Sequence, residues 1–171
     1  SDEDTRDGFE RGGWAVPYGD DVMMRKMGEG MSGASAMLFG RRTYSDFAGY
    51  WPHVPADAGN QDIAVPFNRT RKYVATHRPD TLGWNNSHAL QGDPAQAVRA
   101  LKQEAGPNLL TYGSQLSQQL LAAGLVDELR LMTFPVVLGH GKRLFGDDAQ
   151  PFALKLTRST ATSTGVLLAR Y

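Results

Sequence analysis

The sequence predicts an α/β fold on a mostly parallel sheet, with antiparallel strands added at one edge near the C-terminus. Three observations carry this. Short apolar runs alternate with helical patterns through the first two thirds of the chain. Two of those runs end in a glycine with a helical segment directly behind it, at Gly40 and at Gly113. The last third carries neighbouring strand patterns with no helix between them.

Residues 1–13 read as a loop containing Gly8, Gly12 and Gly13. Residues 20–31 read as a helix whose apolar positions are Val22, Met23, Met27 and Met31. Residues 34–39 form an apolar run without alternation, the pattern of a buried strand. Residues 43–50 read as a short helix stopped near Trp51-Pro52, and residues 52–66, with three prolines, as a loop. Residues 72–76 read as a strand halted by Pro79. Residues 93–105 read as a helix with Asp93 as its cap, Pro94 in its first turn and Gly106-Pro107 behind it. A strand over 108–112 breaks at Gly113-Ser114, and a helix over 115–123 follows, ended by Gly124. Residues 126–138 carry one or two strands split near Pro135, and residues 152–159 and 164–171 read as a closing strand pair around 161–163.

Composition bounds the function. The 171 residues suffice for one domain with a real core, and 41% are hydrophobic. Eighteen basic residues balance eighteen acidic ones, so a general polyanion such as nucleic acid is not an expected partner. The absence of cysteine removes disulfides, thiol nucleophiles and cysteine–zinc sites and suits a cytoplasmic protein. No apolar run approaches the ~18 residues that span a membrane. The four histidines, His53, His77, His88 and His140, lack metal-ligand spacing, so no metal is expected. The Rossmann glycine fingerprint, the Walker spacing and the G-x-S-x-G elbow are also absent. The chain opens at Ser1 and closes on a strand without a tail, so residues are expected to be missing at one or both ends.

The chemistry concentrates at the two glycine corners. Gly40-Arg41-Arg42-Thr43 puts two cations where a helix start already carries partial positive charge. Such a start favours an anion, gathered by backbone N–H groups, guanidinium forks and the Thr43 hydroxyl; a solvated basic helix start is the other reading. Tyr112-Gly113-Ser114-Gln115 repeats the arrangement, and parallel strands bring both corners to one sheet edge. Thr76-His77-Arg78 follows a third strand end, where it holds a further phosphate or makes a polar turn.

Several motifs together resemble the dihydrofolate reductase-like superfamily, in the branch of the riboflavin-biosynthesis reductase (the RibD C-terminal domain). They are Leu-Leu-Ala-Ala-Gly-Leu-Val-Asp-Glu-Leu-Arg-Leu over 120–131, Pro-Val-Val-Leu-Gly over 135–139, Lys-Arg-Leu-Phe over 142–145 and the two corners. The resemblance covers roughly residues 13–171. It implies a three-layer mixed sheet with helices on both faces, an NADPH cofactor and a homodimer. NADPH phosphates would then meet Gly40, Arg41, Arg42 and Thr43. Tyr112, Gly113, Ser114 and Gln115 would cradle the pyrophosphate from the other side, and Thr76 and Arg78 would lie near the adenosine 2′-phosphate.

That family begins with a central strand that has no counterpart here, so the strand is expected to be missing from the given sequence. The run from Trp14 to Asp21 is similar to the Trp-x-x-Pro-x-Asp segment of dihydrofolate reductases, but Gly19 displaces the aspartate by one position. Asp20, with Tyr18 beside it, is thus a candidate pocket carboxylate and proton source; the favoured reading of Asp20 is a helix cap, and both roles can coexist. Trp14, Tyr18, Tyr50 and Trp51 are candidates for a flat wall against an aromatic ring. The expected activity is hydride transfer from NADPH to a small heterocycle, either a pyrimidine like the 5-amino-6-(5-phosphoribosylamino)uracil of that branch or a dihydropterin. The rival readings are a non-catalytic nucleotide- or ligand-binding domain and a mainly structural dimer with 126–138 at its interface.

Overall fold

The computed structural model describes residues 8–31, 35–146 and 149–171. The expected loop over 1–7 and the strand start at Ala34 fall outside the described residues. The chain divides into two compact units, residues 30–125 and the pair of segments 1–29 and 126–171.

The first unit holds a parallel sheet of four strands in the order β3-β2-β1-β4. These are β1 (Ser35–Gly40), β2 (Arg71–Ala75), β3 (Ser87–Leu90) and β4 (Asn108–Tyr112). β1 lies between β2 and β4, and Ala36, Met37, Leu38 and Phe39 are all buried. A strand enclosed on both faces needs no polar alternation, which is why its sequence reads as a continuous apolar run. Helices α2 (Arg41–Tyr50), α3 (Gln61–Arg69), α4 (Pro94–Gln103) and α5 (Ser114–Ala122) complete the unit. An aromatic cluster fills its core: Phe39 stacks on Tyr112 with centroids 5.5 Å apart, and Trp51 stacks on Phe67 at 4.7 Å. Tyr44 is buried, and its hydroxyl accepts the Trp84 backbone N–H at 2.9 Å.

Among the described residues of this unit, one charged side chain is fully buried. Lys72 on β2 is fully buried, and its ammonium donates to the carbonyl oxygens of Thr70 (2.7 Å), Asn85 (3.1 Å) and Asn68 (3.4 Å). It also sits 4.2 Å from the centroid of the Trp84 ring. Burial pushes its pKa down to about 8.

The second unit holds α1 (Asp21–Met31) as far as Glu29 and an antiparallel sheet in the order β5-β7-β6, from β5 (Arg130–Thr133), β6 (Arg158–Ala161) and β7 (Leu167–Arg170). Nothing is described of the Met31 side chain, an expected apolar position. The β5–β7 ladder continues through reciprocal backbone bonds between Leu129 and Tyr171. Glu128 bridges Arg130 at 2.6 Å and Arg170 at 3.4 Å, exposed pairs that contribute little.

The expected parallel and antiparallel strands are both present, and the antiparallel ones form a sheet of their own. Four local expectations need correction. Residues 52–66 are not all loop, because α3 begins at Gln61 and carries Pro66 inside it. A proline there removes one N–H from a short helix; burying Ile63, Ala64 and Phe67 offsets that loss. β3 was not anticipated, since four residues, Ser-His-Ala-Leu, are too short to display a period. Helix α2 starts at Arg41 rather than Thr43, so both arginines belong to its first turn. Within 126–138 and 152–159 the regular strands are only Arg130–Thr133 and the start of Arg158–Ala161, and the closing turn lies at 162–166.

Candidate functional site

The register of β1 against β4 pairs Phe39 with Tyr112, so the next residues, Gly40 and Gly113, stand side by side at the carboxyl edge of the sheet. α2 and α5 start directly after them. Each glycine is the N-cap of its helix, and neither helix has a side-chain cap bond or an acidic residue in its first turn. Two helix starts with first-turn N–H groups uncapped by side chains therefore lie next to each other, with Arg41 and Arg42 on one of them.

The two corners are in contact. Gly113 has φ +94°, and a Cβ placed there would overlap Thr43 Oγ1 far inside 3.0 Å. Glycine is required twice over, for the backbone conformation and for the approach of Thr43. The Gly113 carbonyl is used within α5, accepting from Ser117 N (3.2 Å) and Ser117 Oγ (2.8 Å).

A third strand–turn–helix passage on the same edge shows the contrast. β3 leads through Gln91-Gly92 to α4, where Asp93 caps the helix by accepting from Gln96 N at 2.9 Å. That helix start is satisfied by its own carboxylate. Those of α2 and α5 are not, which makes them the anion-receptive pair.

At the carboxyl ends of β2 and β3 is a cavity of about 340 Å³ lined by Thr76, His77, Gln91 and Gly92, among others. The structure thus puts Thr76 at a cavity and leaves Arg78 off its lining. Thr76 Oγ1 accepts the Arg78 backbone N–H at 3.1 Å, the polar-turn arrangement. His77, within the segment the sequence singled out, lines this cavity, and Gln91 on the same lining was not anticipated. The signal for Gln91 was the unrecognised strand β3 ending before Gly92. The Tyr112 ring packs in the aromatic cluster with Phe39, Phe47 and Phe67.

In the other unit, Asp20 is engaged on both oxygens. Oδ1 accepts Met23 N at 2.8 Å, capping α1, and Oδ2 accepts Ser163 N (2.8 Å) and Ser163 Oγ (2.6 Å). The Ser163 hydroxyl and the Met23 N–H hold its pKa below the ordinary carboxylate value. Asp20 thus caps α1 and ties it to the 162–166 turn. The neighbouring Tyr18 carbonyl accepts Thr164 Oγ1 at 2.6 Å. Because the folded pKa is lowered, the Asp20 contribution to stability is present above the ordinary carboxylate value and is lost as pH falls through the lowered one. Thermal unfolding of Asp20→Asn is expected at a lower temperature than wild type at pH 7, with the gap closing in acid.

The aromatic-wall expectation resolves differently in each unit. Trp14 and Tyr18 pack edge-on against Phe134, at 4.9 and 5.8 Å. Trp51 is stacked in the core, and Tyr50 is exposed at the rim, its hydroxyl accepting from Asn60 at 3.1 Å. Among the described residues no cluster of His, Asp or Glu suits a metal ion, and no helix is long and apolar enough to cross a membrane.

Comparison with known proteins adds sequence and fold relatives. The family model described as the RibD C-terminal domain matches residues 5–168. A Bacillus subtilis (strain 168) protein, the uncharacterized protein YyaP, is 30% identical over 132 residues, covering 77% of this chain and 70% of that one. A putative riboflavin biosynthesis protein from Shewanella sp. PV-4 shares the fold with TM-score 0.62 at 18% identity, over 88% of this chain and 77% of that one. A pyrimidine reductase-like protein from Corynebacterium diphtheriae does so with TM-score 0.62 at 18% identity, over 91% and 82%.

Proposed function

The chain belongs to the RibD C-terminal domain family, and on that premise we propose that it is an NADPH-dependent reductase acting on a small heterocycle. The observation that carries this reading is the pair of adjacent helix starts behind Gly40 and Gly113, neither capped by a side chain and both opening on one sheet edge. One helix start attracts one anionic group; two in contact suit a diphosphate.

The residues present fit a dinucleotide. The N–H groups of Arg41, Arg42 and Thr43 and those of Ser114, Gln115 and Leu116 would receive the pyrophosphate oxygens, Arg42 would add charge, and Gly113 would let the backbone approach. Thr76, with His77 and Gln91 in the cavity at the ends of β2 and β3, would meet the adenosine end, where Arg78 lies next in sequence. A bound nicotinamide supplies the hydride; the protein's share is orientation and electrostatics. The substrate class follows the family, a pyrimidine of the riboflavin pathway or a dihydropterin. A homodimer in the cytoplasm remains part of the proposal.

A second reading, a domain of the same fold that binds a nucleotide without turnover, is favoured by one feature. Asp20, the nearest match to a family carboxylate, is committed to three hydrogen bonds. Tryptophan-fluorescence titration with NADPH at about 50 μM tests binding. Saturable quenching that is lost in the Arg41→Ala/Arg42→Ala double variant is expected; no quenching and no thermal shift would end both readings. Absorbance loss of NADPH with dihydrofolate or a pyrimidine acceptor then separates reductase from binder.

A further inference from the structure

The antiparallel sheet of the second unit carries a row of like charges. Its register pairs Arg130 with Arg170 across β5 and β7, and Arg158 with Arg170 across β6 and β7. Paired residues share a face, so the three arginines stand abreast on one side of the sheet. The next row on that side is Met132, Leu168 and Thr160. Arg158 is exposed, Arg130 and Arg170 are partly so, and Met132 is 47% exposed.

Three features say what this face receives. The first is charge. Like charges directly opposite one another destabilise a sheet. Glu128 answers two of the arginines, its Oε1 meeting Arg130 Nε (2.6 Å) and Arg170 Nε (3.4 Å). Arg158 has neither a hydrogen bond nor an ion pair among the described residues. Glu29 of α1 is within its electrostatic reach, but that carboxylate is already bonded to the Lys26 ammonium at 2.7 Å. Exposed pairs such as those of Glu128 add little to folding, so the row breaks a local rule with no gain inside the chain, as residues kept for a partner do. The second feature is shape. Small molecules favour concave sites, and an open sheet face suits a chain segment better. The third is the apolar row beside the arginines. Met132 and Leu168 offer adaptable contact to an apolar side chain, which a nucleic-acid backbone does not supply. Basic and acidic residues balance at eighteen each over the whole chain, so the excess of cations is local to this face.

We propose that the β5-β7-β6 face docks an acidic segment of a partner protein, its carboxylates on Arg158, Arg170 and Arg130 and an apolar side chain on Met132 and Leu168. The inference does not depend on the dinucleotide reading.

Fluorescence anisotropy of a dye-labelled glutamate–leucine peptide, titrated with the whole protein, tests it. The comparison probes are the same peptide with glutamine for glutamate, the same peptide with serine for leucine, and a single-stranded oligonucleotide of equal charge. The acidic peptide is expected to bind at about 100 μM or tighter in about 50 mM salt, with each comparison probe at least about tenfold weaker. Raising the salt to about 300 mM should weaken it at least about fivefold. Arg158→Glu should weaken it at least about tenfold. Arg158 is exposed and outside the Glu128 bridge, so this variant should keep the native circular dichroism; if it does not fold, Arg158→Gln decides. Sedimentation should give the same oligomeric state for Arg158→Glu and wild type. Equal binding of any comparison probe, unchanged binding by the Arg158 variant, or no binding at all would overturn the proposal. A change of oligomeric state in Arg158→Glu would assign the face to a second copy of this chain and overturn it as well.

Discussion

Gly113→Ala is expected to weaken NADPH binding at least about tenfold and to cost about 2–4 kcal/mol of stability. Two penalties combine. An L-residue at φ +94° is strained, and its Cβ would have to occupy the space of Thr43 Oγ1. The chain relieves the overlap by moving Thr43, which sits in the first turn of α2, so the damage reaches the helix start that receives the anion. A double variant separates strain from overlap. Thr43→Ala removes the hydroxyl, so Gly113→Ala/Thr43→Ala should recover part of the lost stability while NADPH affinity stays low. Denaturant unfolding and NADPH titration of the four proteins give the coupling directly. Simple additivity of the two stability losses would contradict the contact.

Lys72→Met is expected to cost about 2–4 kcal/mol. The three carbonyl groups it serves come from the end of α3, the turn before β2 and the turn before β3, so one ammonium ties three chain passages together. Methionine keeps much of the volume and leaves those acceptors without that donor. The sign of the pH dependence follows from burial. The folded pKa, about 8, lies below the ordinary lysine value of 10.5, so between these limits the unfolded chain binds more protons. Wild-type stability relative to Lys72→Met should therefore rise as pH climbs from about 8 towards 10.5. Urea unfolding of both proteins across that range checks it, and a difference independent of pH would show that Lys72 is not desolvated.

Much of this architecture was legible in the residues. A strand buried on both faces must be apolar throughout, so β1 declared itself, and Asp93-Pro94 announced α4 with its cap. The glycine corners were legible as glycines ending apolar runs, although only Gly113, at φ +94° and against Thr43, requires the missing side chain. What stayed hidden depends on contacts distant in sequence. Pro66 argues against a helix until Ile63, Ala64 and Phe67 are seen to be buried around it. β3 is too short to show a pattern by itself and takes its order from pairing with β2. At the site, sequence spacing could nominate Asp20 but could not show that Ser163, 143 residues away, already occupies its second oxygen. Nor could it distinguish Arg78, on a turn, from His77, on a cavity wall.

The central claim is that a dinucleotide phosphate sits between the starts of α2 and α5. Backbone amide shifts in a nitrogen-15 spectrum, recorded during NADPH titration, test it most directly. The largest shifts are expected at Arg41, Arg42, Thr43, Ser114, Gln115 and Leu116, with the capped start of α4 at Ala95 and Gln96 unmoved. Binding that leaves the α2 and α5 amides where they were, and moves another region instead, would contradict the account.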